Sequence, residues 1–108
     1  MKLFNLNKKK AQKLHEQGQD LSDEGKDAEA IELYLKAIVL DPTKSESFYN
    51  IGLIYKYQNE WLLSLEYNQK AYGLAPDDEA ARWNLAIAAT ALREWDIVRS
   101  AWEDNGIS

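Results

Sequence analysis

The apolar positions of this chain recur with a helical period, and the pattern itself then repeats. Phe48, Ile51, Gly52 and Tyr55 fall three, four and seven residues from the first, which is one face of an α-helix. Gly52 sits where a bulkier side chain would hold a neighbouring helix off. A second helical pattern spans Trp61 to Leu74, and Pro76 stops it. Moved back by 34 residues, the frame puts Gly52 on Gly18, Tyr55 on Leu21, Ala71 on Ala37 and Pro76 on Pro42. Moved forward, it puts Ile51 on Leu85, Gly52 on Ala86 and Trp61 on Trp95. A fixed period of this size predicts an all-α fold, a solenoid of helix-turn-helix units in which each unit covers an apolar face of the next. Three units follow a basic segment at 1–10: residues 11–44, 45–78 and an incomplete 79–108.

Helix ends are marked as well. The spacing predicts a first helix from between Asn7 and Ala11 to about Asp23, with Leu14, Gly18 and Leu21 inward, ended by Gly25 in the left-handed conformation. A second, Asp27 to Leu40, buries Ala30, Ile31, Tyr34, Ala37 and Ile38, and Pro42 biases Asp41 out of the helical region. Thr43 with Glu46 reads as a capping box for the third helix, which ends near Gln58 with Asn59 in the role of Gly25. The fourth runs from Trp61 to Leu74. Asp77 reads as the cap of a fifth, Ala80 to Leu92, and the sixth runs from Trp95 to about Asp104.

These residues resemble the tetratricopeptide repeat family. Its pattern of an aromatic, Leu-Gly, Tyr, Ala, an aromatic, Ala and Pro is matched in the middle unit by Phe48, Ile51-Gly52, Tyr55, Ser64, Asn68, Ala71 and Pro76. The first unit offers Leu14, Gln17-Gly18, Leu21, Ala30, Tyr34, Ala37 and Pro42, and the third Arg82, Leu85-Ala86, Ala89, Val98, Trp102 and Asn105. Ser64, Asn68, Arg82 and Asn105 depart from the pattern. The resemblance implies a right-handed superhelix whose concave surface, lined by the first helix of each unit, holds an extended or helical peptide.

Composition narrows the chemistry. The segment 1–10 carries +4 and the three units −4, −3 and −2, for a net charge of −5. An acidic body argues against a nucleic-acid-binding stripe and favours basic or apolar partners. There is no Cys, one His, and no stretch approaching the ~18 apolar residues of a membrane span. The opening segment lacks the apolar core and cleavage site of a signal peptide, so the expected address is cytoplasmic. No phosphate loop or metal-ligand spacing occurs, and a catalytic, metal or cofactor role is not expected. His15 reads as a surface helix residue. The acids Asp20, Asp23 and Glu24, like Asp77, Asp78 and Glu79, read as helix-end residues.

A second stripe on the first helix of each unit points away from its partner helix. It comprises Gln12, His15, Gln19 and Ser22, then Glu46, Tyr49, Leu53 and Lys56, then Ala80, Trp83, Ile87 and Thr90. Tyr49, Leu53, Tyr57, Trp83 and Ile87 are the expected anchor surface for a peptide ligand, and Asn50 and Asn84, one period apart, the amides that hold its backbone. Glu16, Asp23 and Glu46 favour a ligand with Lys or Arg beside its anchor. In chaperone adaptors of the resembled family, Lys, Asn and Arg grip a C-terminal carboxylate. The matching positions here are His15, Gln19, Asn50, Ala80 and Asn84, of which only Asn50 agrees, so acidic chaperone tails are unexpected ligands. The leading function is therefore a non-catalytic protein-interaction module. The alternative is an assembly module, or the front part of a longer protein, associating through an uncapped last helix by Ile97, Val98, Ala101 and Trp102, with a homodimer as the simplest form.

Overall fold

The computed structural model describes residues 2–103, and these form six α-helices joined by short turns. They are α1 (Lys2–Asp23), α2 (Asp27–Leu40), α3 (Ser45–Tyr57), α4 (Trp61–Leu74), α5 (Glu79–Ala91) and α6 (Trp95–Glu103). No helix among the described residues is long and apolar enough to cross a membrane. The helices pair as α1/α2, α3/α4 and α5/α6, and the stack measures 44 × 33 × 17 Å. Asn105 and the rest of 104–108 lie outside the described residues.

The start of α1 lies earlier than the periodicity suggests. Lys2 to Lys10 contains Leu, Lys and Asn with neither Gly nor Pro, so nothing stops the helix from running on into the basic segment. Two caps also differ from expectation. Thr43 does not cap α3; its backbone N–H and its hydroxyl both donate to Asp41 Oδ1, at 3.2 and 2.6 Å. The cap position falls on Lys44, which has no acceptor to offer. One period on, Asp78 rather than Asp77 caps α5, with Oδ1 accepting from Ala80 N at 2.9 Å and Ala81 N at 3.4 Å. Turn length is the same in both units, so the cap is set by repeat position and not by whichever acid comes first.

The turns inside the units are copies of one another. Gly25, Asn59 and Arg93 have φ of 78°, 62° and 60°. In each, the next residue's N–H reaches back to a carbonyl five residues earlier: Lys26 to Leu21 at 2.9 Å, Glu60 to Tyr55 at 2.9 Å and Glu94 to Ala89 at 2.8 Å. This is the Schellman ending, and it holds whether or not the left-handed residue is a glycine.

Close helix approach explains the small residues. Gly18 on α1 lies against the ring of Tyr34 on α2, and Gly52 on α3 against the carboxamide of Asn68 on α4. In the middle unit the residues that depart from the family pattern form a buried polar chain. Ser64 Oγ donates to the Gly52 carbonyl at 2.9 Å, and Asn68 Nδ2 donates to the Ser64 carbonyl at 2.8 Å and to its hydroxyl at 3.1 Å. Asn68 Oδ1 finds no hydrogen-bond partner, and neither does Arg82 Nε, both fully enclosed.

Between units, the first helix of one seats on both helices of the last. Ile51 and Ile54 of α3 join Ala30 and Tyr34 of α2 in one apolar cluster. Leu85, Ala88 and Ala89 of α5 join Leu65 of α4, and Ala81 meets Phe48 and Ala71. Burying apolar area at these joints is what a single helix pair lacks by itself.

Candidate functional site

The stacking of α3 on α1 and α2 leaves an open depression of about 580 Å³ along the inner stripe. One wall is α1 and the turn after it, with Gln19, Asp20, Ser22, Asp23 and Asp27. The other is α3, with Asn50, Leu53, Ile54 and Tyr57, and Tyr34 of α2 forms the floor. One end is thus lined by carboxylates and the other by apolar and aromatic groups. Tyr57 is 75 % exposed, an unusual outlay of aromatic surface for a residue with no core role.

Burial pushes the Tyr34 phenol above its ordinary range, and the nearby Asp23 carboxylate adds to the shift. The phenol therefore stays neutral at physiological pH, and its oxygen accepts a 3.3 Å bond from Asn50 Nδ2. Lys56 is the cation of this stripe. Its Nζ stands 5.5 Å from the centre of the Tyr57 ring and donates to Asn84 Oδ1 at 3.2 Å.

The predicted anchor residues do not all share one surface. Asn50, Leu53 and Tyr57 line the depression, whereas Trp83 and Ile87 line a smaller one of about 200 Å³ with Ala86, Thr90 and Trp102. Tyr49 is half-buried against the cluster of Phe48, Ala71 and Ala81. Asn84 is buried, and its amide oxygen is taken by Lys56, so both amides of the ladder already have partners within the chain. Of the last-helix residues, Ile97 and Val98 are half-buried beside Leu65 and Leu85, Ala101 is enclosed, and Trp102 meets the Trp83 ring edge to face at 4.8 Å.

His15 is a correction. It is 4 % exposed, beside the Tyr34 ring at 5.2 Å, with Nδ1 2.8 Å from Ser47 Oγ of α3. Burial, then the Lys44 ammonium, lowers its pKa from the ordinary imidazole value, which makes it a neutral joint between units. Asp27 and Tyr34 were not expected in the site. Asp27 reads as a helix-start acid and Tyr34 as core, and each fills that role while also facing the depression. Among the described residues no group of three or more His, Cys, Asp or Glu is placed to hold a metal ion.

The family model for the tetratricopeptide repeat matches residues 14–59, which hold the joint between the first two units. Residues 14–59 are tetratricopeptide-repeat sequence. Photosystem I assembly protein Ycf3 of Cyanophora paradoxa is 37 % identical over 89 residues, 80 % of this chain and 51 % of that protein. The chain thus spans about half the length of that relative. Among solved structures, the second tetratricopeptide domain of Spaghetti (RPAP3) bound to the HSP90 peptide SRMEEVD superposes with a TM-score of 0.83 at 22 % identity, covering 94 % of this chain and 88 % of that one. The first domain of the same protein, bound to the same peptide, gives 0.78 at 24 % identity, covering 90 % and 79 %. The Arabidopsis OM64 domain gives 0.78 at 14 % identity, covering 90 % and 80 %. At such identities the tetratricopeptide likeness speaks for the fold.

Proposed function

We propose that the chain is a non-catalytic interaction module that holds a peptide segment in the depression between its first two units. The observation that carries this is the pairing in one open groove of exposed Tyr57 and half-buried Leu53 with the carboxylates of Asp20, Asp23 and Asp27. Such a surface suits a ligand with a large apolar side chain next to Lys or Arg. Two structural neighbours are complexed with an acidic peptide, which supports peptide binding by this fold. The charge preference here is the opposite one. At the positions that would grip a carboxylate stand a buried neutral His15, Gln19, Asn50, Ala80 and Asn84, none of them a cation. A role in assembling larger complexes is a second reading, supported by the name of the Cyanophora relative.

Peptides selected by display on the purified chain are expected to be rich in Lys or Arg beside a large apolar residue. Tyr57→Ala should weaken them by about 2 kcal/mol, the scale of an interface aromatic, and leave the thermal midpoint in place. A selection rich in acidic residues, or one indifferent to both Tyr57→Ala and Leu53→Glu, overturns the proposal.

A further inference from the structure

The three units repeat not only their internal contacts but also the surface on which the next unit sits. On the first unit that surface is His15, Gly18, Gln19, Ser22 and Tyr34, one period before Tyr49, Gly52, Leu53, Lys56 and Asn68 on the second. Each is covered in part by the next helix, with Gln19, Ser22 and Leu53 left facing the open depression. On the first, α3 brings Ser47 to His15, Asn50 to Tyr34, and Ile51 and Ile54 into the apolar joint. On the second, α5 brings Ala81, Asn84, Leu85 and Ala88 from the same four positions, with Asn84 meeting Lys56.

The third copy of the surface is Trp83, Ala86, Ile87, Thr90 and Trp102, the residues that line the 200 Å³ depression. The Trp83–Trp102 ring contact is the His15–Tyr34 ring contact moved on by two periods. Its exposure is different. His15 is 4 % exposed beneath α3, whereas Trp83 is 50 % exposed. Among the described residues nothing takes the place that α3 and α5 take on the earlier units.

We infer that the Trp83–Ile87–Trp102 surface is a docking site for an amphipathic helix of a partner protein, seated as α3 and α5 are seated. The two helices already seated define the pattern it must present. A small residue comes first (Ser47, Ala81), Asn three residues on (Asn50, Asn84), a branched apolar residue next (Ile51, Leu85), and an apolar residue three further (Ile54, Ala88). The site is thereby the continuation of an interface the chain uses twice. A second copy of this chain fits poorly. Its α1 is the helix that would have to dock, and α1 offers Lys13, Glu16, Gln17 and Asp20 at those four positions, all exposed and polar. Seating them would strip water from charges that Trp83 and Ile87 cannot pair.

The probe is a stapled synthetic peptide copying residues 45–57, with the staple placed away from Ser47, Asn50, Ile51 and Ile54. It is titrated into the full chain while the four indole N–H signals are followed by NMR. The expected result is saturable binding in which the Trp83 and Trp102 signals move and those of Trp61 and Trp95 do not. Ile87→Glu in the chain should weaken binding by about tenfold or more, and Thr90→Arg, at an exposed position, serves as the second variant should Ile87→Glu fail to fold. A peptide with Ile51→Glu should not compete. The inference is overturned if no saturable binding occurs at millimolar peptide, or if the peptide is instead displaced by Leu53→Glu and Tyr57→Ala. It is also overturned if the chain alone self-associates on concentration and Trp102→Glu returns it to a monomer, since the occupant would then be a second copy.

Discussion

Tyr34 lies so close over Gly18 that a Cβ added to the glycine would stand 2.7 Å from Tyr34 Cε1. The ring is enclosed and has nowhere to go. Gly18→Ala should therefore lower stability by about 1 kcal/mol: overpacking costs roughly 1–3 kcal/mol and the better helix propensity of Ala returns about 1 kcal/mol. Gly73, in the last turn of α4, has nothing within 4 Å of the same construction. Gly73→Ala should raise stability by about 0.5 kcal/mol, through the unfolded chain. Urea denaturation of the two variants checks the opposite signs.

Asn68 occupies the position that Tyr34 fills one unit earlier, with its Oδ1 buried and unpaired. Replacing the carboxamide by an apolar group of the same branching removes that unmet acceptor and leaves the Ser64 bond to Gly52 intact. Asn68→Leu is expected to stabilise by about 1 kcal/mol, seen as a higher urea midpoint with an unchanged slope.

Arg93 is held at φ 60° with a side chain that disfavours it. Left-handed backbone costs a non-glycine residue about 1–2 kcal/mol, part of which a glycine would give back as extra freedom when unfolded. Arg93→Gly should raise stability by about 0.5 kcal/mol, measured by thermal or urea unfolding. Asn59→Gly should do less, because Asn tolerates this region better.

His15 carries a pH dependence of definite sign. Its folded pKa is depressed, by burial first and then by the Lys44 ammonium. Above the ordinary imidazole value of 6.5 both folded and unfolded states are neutral there. As pH falls through that value the unfolded chain takes up a proton that the folded chain resists, so stability drops until the folded pKa is passed. Carboxylates begin to titrate only lower down, so between about pH 6.5 and 5.5 the slope belongs to His15. His15→Gln should flatten it. An equal slope in that variant would show that His15 is not the group responsible.

The repeat period, the helix pairs and the close approach at Gly18 and Gly52 are legible in the sequence because they depend on spacing alone. His15 was not. Its environment is set by Ser47 on α3 and Lys44 at the cap before it, 32 and 29 residues away, and a polar residue on a polar stripe gives no sign of what will be laid over it. The Asp77 and Thr43 caps were misplaced for a related reason. Several residues with capping chemistry stood within two positions of each helix start, and only the turn geometry chose between them. The groove was half legible: its acidic and aromatic ends follow from the stripe, but the division of the stripe into two depressions depends on how α5 packs against α3, where Lys56 meets Asn84.

The joints differ in make-up along the stack. The first is built from Tyr34, Ile51 and Ile54, while α5 brings Leu85 with three alanines, Ala81, Ala88 and Ala89. Alanine buries little area, and Arg82 adds an unmet donor beside it. In a one-dimensional stack the loss of a terminal joint need not melt the others, so amide exchange should spread inward from α6 and α5 while α2 and α3 stay protected. Whatever helix settles on Trp83 and Trp102 would then act as a clasp, and its arrival would be felt as slower fraying of the last unit well before any change of shape.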